Sequence, residues 1–162
     1  MSNNFYKNSE EIWSTLMEQA LEEAELAYKK DEVPVGAIII DPQGDILARA
    51  HNSPLKLNDP TAHSEILALR KAGDIKQNYR FPGCIMITTL EPCIMCMGAL
   101  VQARIDGLVF GSRDHKSGAA FSRIDFFRDF PWLNHQFWIK SEILDEKSRS
   151  LLQSFFSQKR KT

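Results

Sequence analysis

Two short segments constrain this chain more than any other feature: Asp59-Pro60-Thr61-Ala62-His63-Ser64-Glu65 and Thr89-Leu90-Glu91-Pro92-Cys93-Ile94-Met95-Cys96. Each opens a predicted helix. Cys93 and Cys96 are three apart, so on a helix their sulfurs share one face. At a helix N-terminus the dipole and the free amides favour the thiolate, the form that binds metal. Two thiolates and the imidazole of His63 make three ligands and leave a fourth tetrahedral position for water, which is the arrangement of a catalytic rather than a structural zinc site. The fold must therefore bring the starts of two helices together.

The Cys-x-x-Cys pair alone fits zinc and a redox dithiol about equally. A structural zinc knot needs a fourth Cys or His nearby, and Cys84 reads as a small buried apolar residue of a strand. A thioredoxin-like dithiol has no need of a His-x-Glu at the start of a preceding helix. With His63 and Glu65 lying 30 and 28 residues before Cys93, and Pro92 directly before it, the combination is the H-x-E and P-C-x-x-C signature of zinc deaminases. Zinc lowers the pKa of its water towards neutrality and so supplies hydroxide to attack the amine-bearing carbon of a purine or pyrimidine. The adjacent ring nitrogen and the departing amine each need a proton, and Glu65 is the candidate shuttle. Without the metal ligands, Glu65 would read simply as a carboxylate favoured at a helix start. Residues two apart on a regular helix diverge by about 200°. His63 is therefore predicted in an irregular first turn, after Pro60 and a capping Thr61, so that it shares a cavity with Glu65.

Around these motifs strands alternate with helices. Ile12, Trp13, Leu16, Met17, Ala20, Leu21, Ala24, Ala27 and Tyr28 recur at helical spacing and predict an amphipathic helix over Glu10 to Lys30, capped by Asn8 or Ser9. Strands follow at Val35 to Ile40 and Ile46 to Ala50, joined as a hairpin by Asp41-Pro42-Gln43-Gly44. Cys84 to Thr89 and Gly107 to Gly111 read as buried strands. The last strand falls at about Gln136 to Lys140, after a short helix near Arg123 to Phe127. The long connection before it suits a right-handed crossover, so the last two strands are predicted parallel. A helix over Leu144 to Gln158, with Leu151, Leu152, Phe155 and Phe156 on its apolar stripe, closes the chain. The expected fold is α/β, with five strands and helices on both faces.

At 162 residues the chain fits one domain over 1–162, with a short N-terminal tail and a basic C-terminal tail. Apolar content of 43% and charged content of 25% suit a soluble globular protein. No apolar run approaches the ~20 residues that span a bilayer. The start, Met1 to Tyr6, has neither a basic stretch nor an apolar segment, so a cytoplasmic location is expected. Three cysteines argue against a disulfide framework. The net charge of -1 conceals an asymmetry, because residues 1–33 carry three Lys against eight Asp or Glu and the remainder is basic on balance. A solvated acidic helix explains this, and a modest basic face also fits.

The chain resembles the bacterial tRNA-specific adenosine deaminases of the cytidine/deoxycytidylate deaminase superfamily, which convert the wobble adenosine of an anticodon to inosine. The likeness runs from Val33-Pro34-Val35-Gly36-Ala37 through His51-Asn52, Asp59 to Arg70, Asn78-Tyr79-Arg80, Thr89 to Cys96 and Val109-Phe110-Gly111. It continues through Lys116-Ser117-Gly118-Ala119-Ala120 to Asn134-His135, and so covers roughly residues 10 to 158. The resemblance implies a three-layer α/β/α fold with a mixed five-stranded sheet, and a hydrolase acting on a C-N bond of a cyclic amidine. It also implies a homodimer that takes a tRNA anticodon loop, that of an arginine tRNA, with zinc held by His63, Cys93 and Cys96. On the same likeness Asn52 matches the asparagine that hydrogen-bonds the target base, Val35 and Ala62 match pocket-wall positions, and Asn134 and His135 match positions near bound RNA. Asn52 also fits a turn residue after a strand, and Asn134 with His135 a buried or capping pair. His51 and His115 read as surface or packing residues.

Phe121 to Trp138 departs from the family, with seven aromatics in 18 positions where smaller residues are usual around Phe121. Core or dimer packing explains them, and stacking on unpaired bases is the other reading. Two further functions share the motifs: deamination of a free base or nucleoside such as guanine or cytosine, and a non-catalytic zinc- or RNA-binding module. The last gains nothing from an open coordination position or from Glu65.

Overall fold

The computed structural model describes residues 10–161, so the proposed caps Asn8 and Ser9 lie outside the described residues. In chain order the elements are α1 (Glu10–Lys29), β1 (Gly36–Ile40), β2 (Ile46–His51), α2 (Pro54–Leu57), α3 (Ser64–Lys76), β3 (Ile85–Leu90), α4 (Ile94–Gln102), β4 (Gly107–Ser112), α5 (Phe126–Asp129), β5 (Trp138–Lys140) and α6 (Asp145–Lys159). The sheet runs β2-β1-β3-β4-β5. β1 is antiparallel to both β2 and β3, while β3, β4 and β5 are parallel. This is the mixed five-stranded sheet with parallel final strands that the long last connection predicts.

Alternation along the strands sorts the core into two layers. Ile38, Ile40, Ile85, Ile87 and Val109 face Trp13, Met17, Ala20 and Leu21 of α1. Ala37, Ile39, Met86, Leu108 and Phe110 face the other way, onto Ala68 and Ala72 of α3 and Met97, Leu100 and Val101 of α4. Each fully buried aliphatic side chain of this kind contributes about 1.5–3 kcal/mol. α1 crosses β1 so closely that a Cβ on Gly36 would lie 2.1 Å from the carbonyl oxygen of Ala20. α6 joins the α1 layer, with Tyr28 and Phe155 meeting edge to face at 5.6 Å.

The hairpin turn is closed by Asp41, whose Oδ1 accepts from the amides of Gln43 at 2.9 Å and Asp45 at 3.0 Å, with Gly44 at φ 90°. β5 is shorter than predicted. His135 Nε2 lies 2.7 Å from the Ile105 carbonyl, and Phe137 stacks against Phe127 at 4.9 Å, so this stretch is held by side chains and pairing begins only at Trp138. The short helix before it sits three residues later than predicted, at Phe126–Asp129. Phe126, Phe127 and Phe130 interlock at 5.3–5.5 Å against the α3/α4 layer, so most of the aromatic segment is core. Trp132, at 76% exposed, and Phe121, at 38%, are the exceptions. Among the described residues no helix is long and apolar enough to cross a membrane.

Candidate metal centre and catalytic cleft

His63 and Cys93 occupy the same kind of position. Each is the N-cap of its helix, α3 and α4 respectively, in extended conformation with φ -71° and -74°. Neither side chain caps its own helix, so both are turned towards the space between the two helix starts. This resolves the geometric difficulty of His63 and Glu65: His63 stands outside the helix, and Glu65 is its second residue. Thr61 does not cap α3. Its amide and hydroxyl both donate to Asp59 Oδ1, at 2.8 and 2.7 Å, and so shape the loop that delivers His63.

His63 Nδ1 lies 3.7 Å from Cys93 Sγ and 3.6 Å from Cys96 Sγ. A tetrahedral zinc with Zn–N of about 2.05 Å and Zn–S of about 2.3 Å requires N···S separations of about 3.6 Å. The three donors therefore fit a zinc ion, and among the described residues they are the only group of three such side chains close enough to share one. Cys84 is buried apart from them. Burial pushes its thiol up to about 11, as expected for a structural cysteine. The thiol of Cys96 and the imidazole of His63 pull Cys93 down to about 4. Its bond to Cys93 and its burial push Cys96 up, and the Cys93 sulfur raises His63. The two sulfurs are thus shifted in opposite directions, and binding a dication requires both as thiolates.

Glu65 is 3% exposed. Burial raises its pKa, opposed by the charge of His63 and by Ser64, whose hydroxyl donates to Oε2 at 3.0 Å. A carboxyl with its charge disfavoured beside a metal site is suited to accepting and releasing a proton. Val35, Asn52, His63, Glu65 and Cys93 line a cleft of about 900 Å³, together with Arg113, Lys116, Arg149, Phe156 and Arg160 and the carboxylates of Glu142 and Asp145. The apolar stripe expected on the last helix is therefore divided: Phe155 is buried and Phe156 faces the cleft. Asn52 Oδ1 accepts the Ser64 amide at 2.8 Å, satisfying an N-terminal N–H of α3 from across the chain. Among the described residues its Nδ2 makes no hydrogen bond, and this donor is left for a ligand.

The structure does not bring every sequence-derived candidate into the cleft. Ala62 is fully buried, and its carbonyl accepts the Ser53 amide at 3.0 Å. Asn134 and His135 lie beyond the N-terminal end of β4: the Asn134 carbonyl accepts from Arg104 at 3.0 Å, and His135 meets Ile105. The cleft is at the other end of that strand. His51 lies between Glu23, 2.8 Å from Nδ1, and Lys30, 3.0 Å from Nε2. Sequence reasoning missed two buried carboxylates, Glu32 and Glu91. Glu32 accepts the amides of Leu55 and Lys56 at 3.3 and 2.8 Å and so holds α2, a helix too short to carry a periodic signal.

Comparison with known proteins agrees with this geometry. Residues 10–112 match the family described as "Cytidine and deoxycytidylate deaminase zinc-binding region". The chain is 42% identical to the tRNA-specific adenosine deaminase of Haemophilus influenzae over 90% of its length and 83% of that protein. It is 45% identical to that of Aquifex aeolicus over 87% of its length and 91% of that protein. A solved structure from a study of A-to-I editing by tRNA:A34 deaminases superimposes with a TM-score of 0.81 at 39% identity, covering 85% of this chain and 99% of that one. The chain belongs to the cytidine and deoxycytidylate deaminase family, with the three-layer α/β/α fold of its members. It is a zinc-dependent deaminase.

Proposed function

We propose that this enzyme is a single-domain cytoplasmic homodimer that deaminates the wobble adenosine of a tRNA, an arginine tRNA in particular, to inosine. The observation that carries the chemistry is Glu65, buried in the cleft two residues from His63 and beside the paired sulfurs. Likeness to proteins named tRNA-specific adenosine deaminases over nearly the whole chain supports the substrate. His63, Cys93 and Cys96 would hold the zinc, which when bound would supply the Lewis acidity that makes water reactive at neutral pH. Glu65 would take a proton from the attacking water and pass it to N1 of adenine; a second transfer through Glu65 would let the amine leave as ammonia while the water oxygen stays on C6. Asn52, oriented by Ser64, offers its Nδ2 hydrogens to an acceptor on the base. Val35 forms the adjacent wall, and Ala62, whose carbonyl accepts the Ser53 amide, fixes the loop beside Asn52. Asn134 and His135 serve RNA that extends beyond the cleft.

The test is to incubate the enzyme with an arginine tRNA whose anticodon begins with adenosine, read inosine by sequencing, and measure ammonia released from free nucleosides and guanine. Inosine at the wobble position is expected. Glu65→Gln is expected to lower the rate by about 10²–10⁴-fold with zinc retained. Conversion of the free compounds but not the tRNA would overturn the substrate, and full turnover by Glu65→Gln would overturn the role of Glu65.

A further inference from the structure

The chemistry leaves one buried carboxylate in the cleft region unused. Glu91 is two residues before Cys93 and 2% exposed. Its Oε1 accepts the amides of Phe121 at 2.7 Å and Ser122 at 2.9 Å. Its Oε2 accepts the amide of Asp114 at 3.0 Å and the Ser122 hydroxyl. A carboxylate offers about four lone-pair sites, so these donors use its full capacity. Gly118 is required beside it, because a Cβ there would come within 2.5 Å of both the Glu91 carboxylate and the Asp114 carbonyl.

The main chain follows the same path. The Glu91 amide donates to the Ser112 carbonyl and the Ala119 amide to the Pro92 carbonyl, each at 2.8 Å, and Cys93 bridges Gly118. Asp114 then closes the turn, accepting the amides of Lys116 at 2.9 Å and Ser117 at 3.2 Å. The 112–117 segment so formed lines the cleft and carries Arg113, His115 and Lys116. Arg113 is steadied by Glu142, 3.6 Å away, and by the Phe121 ring, 5.5 Å from its guanidinium carbon, and Phe121 is held through its amide by Glu91.

We propose that Glu91 is a positioning residue, whose buried carboxylate fixes the 112–118 segment, with Arg113 and Lys116, as one wall of the cleft and so sets how tightly the RNA flanking the target base is held. The proposal rests on the tRNA reading above. Groups on this wall meet phosphates away from the reacting carbon, so they bind substrate and transition state alike, and loosening them raises KM without lowering kcat.

The test uses the zinc-loaded full chain and an anticodon stem–loop RNA. Glu91→Gln keeps the shape but turns an NH₂ group onto two of the four donors, whereas Ser122→Ala removes one donor and leaves the carboxylate intact. Glu91→Gln is expected to raise KM about tenfold and Ser122→Ala about threefold, with kcat within about twofold and zinc content unchanged. Unchanged KM in both variants, or a loss confined to kcat or to zinc content, would overturn the proposal. If Glu91→Gln does not fold, Ser122→Ala decides alone. Wild-type enzyme that binds zinc yet leaves the RNA unconverted would refute the substrate reading, and this proposal with it.

Discussion

Cys93 and Cys96 are adjacent on one helix start, yet metal-free they differ sharply in proton affinity. Cys93 is drawn down to about 4, chiefly by the Cys96 thiol and then by His63, while burial holds Cys84 up at about 11. At neutral pH the chelated protein therefore carries a thiolate at 93 and a thiol at 84. Iodoacetamide is expected to label Cys93 first after chelation, at a rate flat with pH above about 5, and to leave Cys84 unlabelled until strongly alkaline pH. Zinc should protect Cys93, and mass spectrometry of the labelled peptides checks both points. The spacing of His63, Glu65, Cys93 and Cys96 was enough to place these residues at one site. The partners that orient them were not legible, because Ser64 meets Asn52, and Asp114, Phe121 and Ser122 meet Glu91, only once distant segments fold together.

Elements were legible in proportion to the length of their pattern. The stripe Trp13, Met17, Ala20, Leu21 and Ala24 defines α1 within one residue of its observed end. β5 lost two predicted residues to side-chain contacts of His135 and Phe137 that no local pattern records. α2 went unseen because four residues carry no periodicity and Glu32 holds it from across the chain. The docking of α1 on β1 depends on Gly36, where an added methyl would meet backbone atoms of Ala20 and Ala24 at 2.1 and 2.5 Å. Backbone cannot yield as a side-chain tip does. Gly36→Ala is expected to cost about 1–3 kcal/mol through overpacking, measured as a lower denaturant midpoint at constant m.

For the molecule as a whole, the net charge of -1 is an average, and what RNA would meet at the cleft is a set of cations interleaved with carboxylates. Arg113, Lys116, Arg149 and Arg160 line it beside Glu142 and Asp145, which pair with Arg113 and Arg149 respectively. Binding of an anticodon stem–loop is expected to weaken with salt, and Lys116→Ala to reduce the log–log slope by about 0.7 if the lysine neutralises one phosphate; an unchanged slope would remove Lys116 from the contact. All of this chemistry requires that α3 and α4 start at the same point in space and share one ion there. Zinc K-edge absorption on the purified chain reads that directly. The expected result is one zinc per chain with two sulfurs at about 2.3 Å and two nitrogen or oxygen neighbours at about 2.0 Å, and loss of the metal in Cys96→Ala. Three or more sulfur neighbours, or full zinc retention in both His63→Ala and Cys96→Ala, would contradict it.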